Sequence, residues 1–247
     1  MSRTPRTTML LAAGLGTRMR PLTKHTPKAL LPLGGKPLLD HALDRLLAAG
    51  VEFVVVNAHW QATRIERHLA ARRREGLRPD TVLRREETLL DTGGAVAAAL
   101  GLLGPAPFYV VNGDAFWLDG AYPALARLAE CFDPDRLDAV LLVHRTFQVH
   151  ADVGFGDFAV GKLGELRRRG DREVVPYIYA GVQIASPALF RDAPGSAFSM
   201  NLVWDRALER KRLRAVVHDG LWFHLSTPAD LSDAERLLAA RATGESR

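Results

Sequence analysis

The chain has 247 residues, 47% of them hydrophobic, and 33 Lys and Arg against 28 Asp and Glu give it a formal charge of +5. That length and apolar content suffice for a full core at the upper size of one domain, and a net positive field suits anionic ligands. No uninterrupted apolar stretch is long enough to span a membrane, the N-terminus lacks the apolar core of a signal peptide, and the single cysteine excludes an internal disulfide framework and a cysteine-based zinc site, so a cytoplasmic protein is expected.

In chain order, Met9 to Ala13 reads as a buried strand that runs into Gly14-Leu15-Gly16-Thr17-Arg18-Met19-Arg20-Pro21-Leu22-Thr23, with Thr26-Pro27-Lys28 beyond. The two glycines allow a tight turn and a close approach to a ligand. A dinucleotide turn would carry a third glycine where Met19 stands, and a Walker loop would follow Gly35-Lys36 with Ser or Thr, not Pro37. What remains is a glycine turn backed by Thr17, Arg18, Arg20 and Lys28. Backbone N–H groups with guanidinium and ammonium donors form a site for polyphosphate. The competing account is a glycine-rich connector with exposed basic residues.

Leucines at 38, 39, 43, 46 and 47 have near-helical spacing from Lys36 to Ala49, and Gly50 supplies a stop. Phe53 to Asn57 is a buried strand, Ala62 to Arg74 an Arg-rich helix ending at Gly76, and Thr81 to Arg84 a weaker strand. Thr92 to Leu103 is an Ala-rich helix entered through Gly93-Gly94, Phe108 to Asn112 a strand, Tyr122 to Cys131 a helix and Asp138 to His144 a strand. Cys131, in an apolar-periodic stretch, reads as a small core residue. Alternating strands and helices predict a mainly parallel sheet covered on both faces, a Rossmann-like α/β fold.

From about Ala151 the strands shorten (Phe155 to Val160, Val175 to Ile184) and glycines multiply, which predicts an antiparallel region continuing the main sheet. Ser186-Pro187 and Ser199 open helices, the second running to about Arg210. Ala215 to His218 and Leu221 to Leu225 are final strands, Thr227-Pro228 caps a helix through Ala240, and Ala242 to Arg247 is expected to fray. One domain over 1–247 follows, with halves at 1–150 and 151–247. The clusters Arg72-Arg73-Arg74 and Arg167-Arg168-Arg169 have no interleaved aromatics and read as solvated faces, so nucleic-acid binding is not expected. His41, His59, His144, His150 and His218 show no motif spacing and read as structural or surface residues.

Ligands of open parallel sheets sit beyond the carboxyl ends of the strands, and Val110-Val111-Asn112-Gly113-Asp114 puts a carboxylate at such an end. Asp114 is therefore a candidate Mg²⁺ ligand, with an Asx turn or a helix N-cap as the structural alternative.

The run from Leu11 to Thr23, followed by Pro27-Lys28, resembles the signature of the sugar-1-phosphate nucleotidyltransferases. The resemblance implies an NTP and a sugar 1-phosphate as substrates, and it places Leu11, Ala12, Ala13, Gly14, Gly16, Thr17 and Arg18 at the nucleotide. Glu86-Glu87-Thr88-Leu89-Leu90-Asp91-Thr92-Gly93-Gly94 is similar to the family's second nucleotide segment, with Glu86, Gly93 and Gly94 at the base and sugar edges and helix-start N–H groups turned toward the ligand. Asn112-Gly113-Asp114 resembles the family's metal-binding aspartate, with Asn112 positioning it. Gly156-Asp157-Phe158 and Tyr177 to Val182 resemble substrate-facing segments. They imply Asp157 as an acceptor for sugar hydroxyls and Gly181 as a point of close approach; an exposed turn accounts for Asp157 equally well. Lys162 is a candidate sugar-phosphate binder, although the Glu-Lys-Pro of many relatives is missing.

Where relatives commonly carry Trp-x-Asp-Val/Ile-Gly-Thr, whose Asp is the second metal carboxylate, this chain has Trp222-Phe223-His224-Leu225-Ser226-Thr227. Three outcomes follow: His224 ligates and metal preference shifts from Mg²⁺ toward Mn²⁺, Asp114 and substrate phosphates suffice, or catalysis is impaired. The implied reaction is in-line attack of a sugar-phosphate oxygen on the α-phosphorus of the NTP, with Arg18, Lys28 and Asp114 as the catalytic residues. Within the family, the motifs most resemble the uridylyltransferases that use UTP and N-acetylmuramate 1-phosphate in cell-wall recycling. A mannose or heptose 1-phosphate guanylyltransferase and a non-catalytic nucleotide or sugar-phosphate sensor are the alternatives. Oligomeric state is not legible.

Overall fold

The computed structural model describes residues 4–149 and 151–242. In chain order the strands are β1 (Thr7–Leu11), β2 (Pro32–Leu33), β3 (Lys36–Pro37), β4 (Phe53–Ala58), β5 (Asp80–Arg85), β6 (Phe108–Asn112) and β7 (Phe116–Leu118), then β8 (Ala139–Arg145), β9 (Phe158–Val160), β10 (Leu166–Arg168), β11 (Tyr177–Ala185), β12 (Leu213–Val217) and β13 (Leu221–Phe223). The α-helices are α1 (Leu38–Ala48), α2 (Ala62–Arg74), α3 (Asp91–Leu103), α4 (Ala124–Cys131), α5 (Met200–Glu209) and α6 (Pro228–Ala242). Of the expected frayed end, residues 243–247 lie outside the described residues, as does His150.

Continuous apolar runs such as Val54-Val55-Val56 are fully buried because both faces of a parallel sheet must be covered. β6, β1, β4 and β5 lie side by side, with the pairs β6–β1, β1–β4 and β4–β5 parallel. One face packs on α1, α2 and α4 through Leu43, Ile65 and Leu128, and the other on α3 and α5 through Val96 and Val203. A third, smaller cluster joins Met19, Leu33 and Phe116 to Leu225 and Leu231 near the start of α6.

The second half extends the same sheet in antiparallel fashion, as its composition predicts. β11 pairs with β8 along one edge and with β6 and, at Tyr177, β9 along the other, and β12 then runs parallel to β8. The strand at β8 therefore adjoins the late strand β11 instead of the earlier parallel set. A register shift between Tyr179 and Gln183 contains Gly181, whose φ of 77° favours glycine. The opening at Ser186-Pro187 is only the 3₁₀ turn Pro187–Phe190.

Two sequence expectations are corrected. Cys131 is exposed, not core: α4 buries Ala124, Leu125, Leu128 and Ala129, and Phe132 takes the next inward place. Arg72 is not solvated but 6% exposed, because Ile65, Leu69 and Arg72 share the inward stripe of α2. Among the described residues no helix is long and apolar enough to cross a membrane.

Candidate active site

Leu11 at the end of β1 stands between Asn57 at β4 and Asn112 at β6, so three parallel strands finish at one level. A cavity of about 550 Å³ opens above these ends. Leu11, Ala12, Ala13, Gly14, Gly16, Thr17, Arg18, Lys28, Glu86, Asn112 and Asp114 all line it.

The loop after β1 is held in one shape. Gly16 has a φ of 61°, and a β-carbon there would lie 2.9 Å from Thr23 Cγ2, while the Thr23 hydroxyl donates to the Gly16 carbonyl at 2.7 Å. Only glycine fits that position. Gly14 has open space on the side where a β-carbon would stand, which admits a ligand against the backbone.

At β6, the Gly113 N–H donates to the Leu11 carbonyl at 2.8 Å, and a β-carbon on Gly113 would lie 2.9 Å from that same oxygen. This tight crossing turns the chain and delivers Asp114 to the cavity. There Lys28 Nζ donates to Asp114 Oδ2 at 2.6 Å, with the lysine side chain 14% and the aspartate side chain 39% exposed. Arg18 lines the same cavity, so two cations and one carboxylate converge where a phosphate chain would need them.

Asn57 is a cavity residue that sequence reasoning missed. Its Oδ1 accepts from the Ala12 N–H at 2.7 Å, and its Nδ2 donates to Glu86 Oε1 at 2.8 Å. Glu86 Oε2 in turn accepts from the Leu90 N–H at 3.2 Å. A buried polar chain thus ties the first loop to the second segment. The available signal was a polar residue ending the run Phe53-Val54-Val55-Val56-Asn57 at a strand's carboxyl end.

Gly93 and Gly94 do not turn their N–H groups toward a ligand, as expected from a helix start; both donate to the Phe198 carbonyl, at 2.9 and 3.0 Å. A β-carbon on Gly93 would fall 2.3 Å from Phe198 Cε2, so the glycine pair serves the packing of α3 beneath the segment before α5. Asp91 and Thr92 at the start of α3 line the cavity in their place.

The sugar-side candidates are dispersed. Asp157 Oδ2 accepts from the Tyr179 N–H at 2.9 Å, and the residue is not in the cavity lining. Lys162 is exposed in the turn between β9 and β10. Gly181 reaches the site indirectly: its β-carbon position is 3.2 Å from Asn112 Nδ2.

His224 follows β13 and lines a second cavity of about 240 Å³ with Trp222 and Asp230. Its Nε2 lies 2.7 Å from Ser226 Oγ, and Ser226 lines the main cavity. Burial pushes the imidazole pKa below 6.5, with Lys28 and Arg18 acting in the same direction against Asp230 and Asp114. Among the described residues there is no group of three or more His, Cys, Asp or Glu side chains placed to hold a metal ion.

A family model described as "Nucleotidyl transferase" matches residues 7–156. The chain is 42% identical to an N-acetylmuramate alpha-1-phosphate uridylyltransferase of Caulobacter vibrioides, over 97% of this chain and 99% of the relative. A protein of the same name from Neisseria meningitidis serogroup B is 34% identical over 94% of this chain and 98% of its own length. Among solved structures, UDP-glucose pyrophosphorylase complexed with UDP-glucose superposes with a TM-score of 0.79 at 17% identity, over 96% of this chain and 99% of that one, a likeness of fold.

Proposed function

Because this chain belongs to the nucleotidyl transferase family, we propose that it transfers a uridylyl group from UTP to N-acetylmuramate α-1-phosphate, with release of pyrophosphate. The observation that carries the reaction class is the convergence of Arg18, Lys28 and Asp114 on one cavity above the strand ends. The two named substrates rest on the relatives with which the chain aligns almost end to end. Such a reaction belongs in the cytoplasm, in the recovery of cell-wall sugars.

A phosphate oxygen of the sugar 1-phosphate attacks the α-phosphorus, the bond to the bridging oxygen of the β-phosphate breaks in line, and pyrophosphate leaves with the electron pair. The protein's part is alignment and charge stabilisation. The Gly14–Arg18 loop holds the triphosphate, Arg18 neutralises the departing pyrophosphate, and Lys28 leaves Asp114 to span the α-phosphate and the incoming phosphate.

Mg²⁺ fits this donor set through Asp114, since a hard cation commonly takes one or two carboxylates and completes its shell with phosphate oxygens and water. When bound it would supply charge neutralisation between the two phosphates. His224 fits less well as its second ligand, because Nε2 is engaged by Ser226 and the ring faces the neighbouring cavity.

The test is pyrophosphate release with UTP, GTP, CTP and dTTP, each crossed against N-acetylmuramate, N-acetylglucosamine and mannose 1-phosphates, in Mg²⁺ and in Mn²⁺. Fastest release with UTP and N-acetylmuramate α-1-phosphate is expected. Preference for GTP with mannose 1-phosphate would move the chain to the guanylyl branch, and nucleotide binding without any release would make it a sensor.

A further inference from the structure

The polar groups of the segment after β13 can be accounted for one by one. Asp230 Oδ2 accepts from the Ser226 and Thr227 N–H groups at 2.9 and 2.7 Å, and Thr227 Oγ1 accepts from the Asp230 N–H at 3.2 Å. This reciprocal cap fixes the entry to α6 and leaves neither amide for a ligand. His224 Nε2 is taken by Ser226 Oγ at 2.7 Å. Of residues 221–227, only Ser226 lines the main cavity, and it is itself 7% exposed.

The charges acting on the His224 ring are those of Asp230, Lys28, Arg18 and Asp114. Leu225 shares a core cluster with Met19, the neighbour of Arg18, and Met19, Arg18 and Ser226 all line the main cavity, so the Ser226 hydroxyl enters it from the side of the first loop. With a proton on Nε2, the imidazole donates to Ser226 Oγ and the hydroxyl proton is free to point into the cavity. A polyanionic ligand there calls for donors, and Arg18 and Lys28 are donors already.

We propose that the Ser226 hydroxyl binds a phosphoryl oxygen at the reaction centre, and that His224 is the positioning residue that orients it instead of a metal ligand. The proposal deepens the nucleotidyl-transfer reading and rests on it. His224 and Ser226 stand where the family pattern expects an aspartate and a glycine.

Ser226→Ala, Ser226→Thr, His224→Leu and His224→Gln are compared with the wild-type chain. The readouts are kcat, KM for UTP and for N-acetylmuramate α-1-phosphate, and the Mg²⁺ concentration at half-activation. Ser226→Ala is expected to lower kcat/KM by roughly 10- to 100-fold, the worth of one hydrogen bond to a charged group. His224→Leu should match it, the double variant should be no worse than either, and Ser226→Thr and His224→Gln, which keep a donor, should recover most of the loss. Mg²⁺ half-activation should be unchanged throughout. The idea fails if Ser226→Ala stays within twofold, if the two losses multiply, or if His224→Leu alone raises the Mg²⁺ requirement.

Calorimetry with UTP alone and with the sugar 1-phosphate alone separates the two sources of the phosphoryl oxygen. A weakening of one by Ser226→Ala names the source, and no change in either counts against the hydroxyl contact. A wild-type chain inactive with every sugar 1-phosphate would defeat the transfer reading, and the binding comparison would still decide the contact. Thermal unfolding of each variant controls for folding.

Discussion

Lys28 Nζ and Asp114 Oδ2, 2.6 Å apart, join the loop after β1 to the turn after β6 across 86 residues of sequence. The two side chains neutralise each other across the cavity. The pair is reached by solvent, with the aspartate side chain 39% exposed, so its contribution to stability is small, about 0–1 kcal/mol. Asp114→Asn and Lys28→Met are each expected to cut turnover by at least about 10²-fold while moving the unfolding free energy by no more than about 1 kcal/mol. Arg18→Ala should behave likewise. Pyrophosphate-release kinetics and urea denaturation, run side by side, check both halves of the statement; turnover that survives these changes would place the reaction centre elsewhere.

Two glycines of α3 should respond in opposite ways to the same substitution. A β-carbon on Gly93 would meet the Phe198 ring at 2.3 Å, whereas one on Gly101 meets nothing within 4 Å. Gly93→Ala is expected to cost about 1–3 kcal/mol by overpacking, and to impair activity because Asp91 and Thr92 at the same helix start line the cavity. Gly101→Ala, in an exposed helical position, should stabilise by about 0.5–1 kcal/mol without affecting turnover. Denaturation midpoints of the two variants decide it.

The contrast at α3 also shows what sequence can and cannot reveal. The glycine loop and Asp114 were legible because each follows a strongly apolar strand, where a parallel sheet puts its ligands, and Lys28 was legible only as the basic residue of the Pro27-Lys28 pair beyond that loop. Gly93-Gly94 looked like a ligand-facing helix start, yet the groove it fills belongs to Phe198, 105 residues away, which no local pattern announces. Arg72 and Cys131 failed for a related reason. Residue type suggests the opposite of what the helical stripe dictates, and the stripe wins. The arrangement of β11 between β6 and β8 was hidden because it rests on pairings between strands far apart in sequence, which no local pattern encodes.

Arg72 supplies the next prediction. Its Nη1 donates to Asp40 Oδ1 at 2.9 Å, His68 Nε2 lies 2.8 Å from the same oxygen, and the Arg72 and Asp40 side chains are only 8% and 11% exposed. Burial would push the Asp40 carboxyl up, but the bonds and charges of His68 and Arg72 outweigh it and hold the pKa below the ordinary 3.8. A carboxyl depressed in the folded state contributes stability that is fully present above its unfolded value and is lost as pH falls through the folded one. Arg72→Ala should therefore cost about 3 kcal/mol at neutral pH, by stranding a buried charge. Asp40→Asn should flatten the loss of stability below about pH 4. Urea titrations at neutral and acid pH would show both effects; an Arg72→Ala cost under about 1 kcal/mol would mean that His68 alone suffices for Asp40.

His144 and His218 set the other pH dependence. Their ring centroids are 5.8 Å apart beneath β13, and burial pushes both pKa values below 6.5. His218 Nε2 lies 3.1 and 3.2 Å from the Leu118 and Leu221 carbonyls, while its Nδ1 is buried without a partner. A second proton would put an unsatisfied N–H at Nδ1 and a charge beside His144, so the folded chain keeps the ring neutral. The unfolded chain has no such restraint and takes up the proton near pH 6.5. Stability is thus level above about pH 7.5 and falls on acidification through the unfolded pKa, by up to about 1.4 kcal/mol per pH unit for each histidine, until the folded value is reached. His218→Gln keeps an N–H donor without a titrating group and should remove up to one proton from that slope. Unfolding free energies at several pH values between about 5 and 8 would measure it. A slope unchanged in His218→Gln would assign the proton uptake to other depressed imidazoles, of which His41, half-buried and bonded to the Leu33 carbonyl at 2.8 Å, is the next to replace.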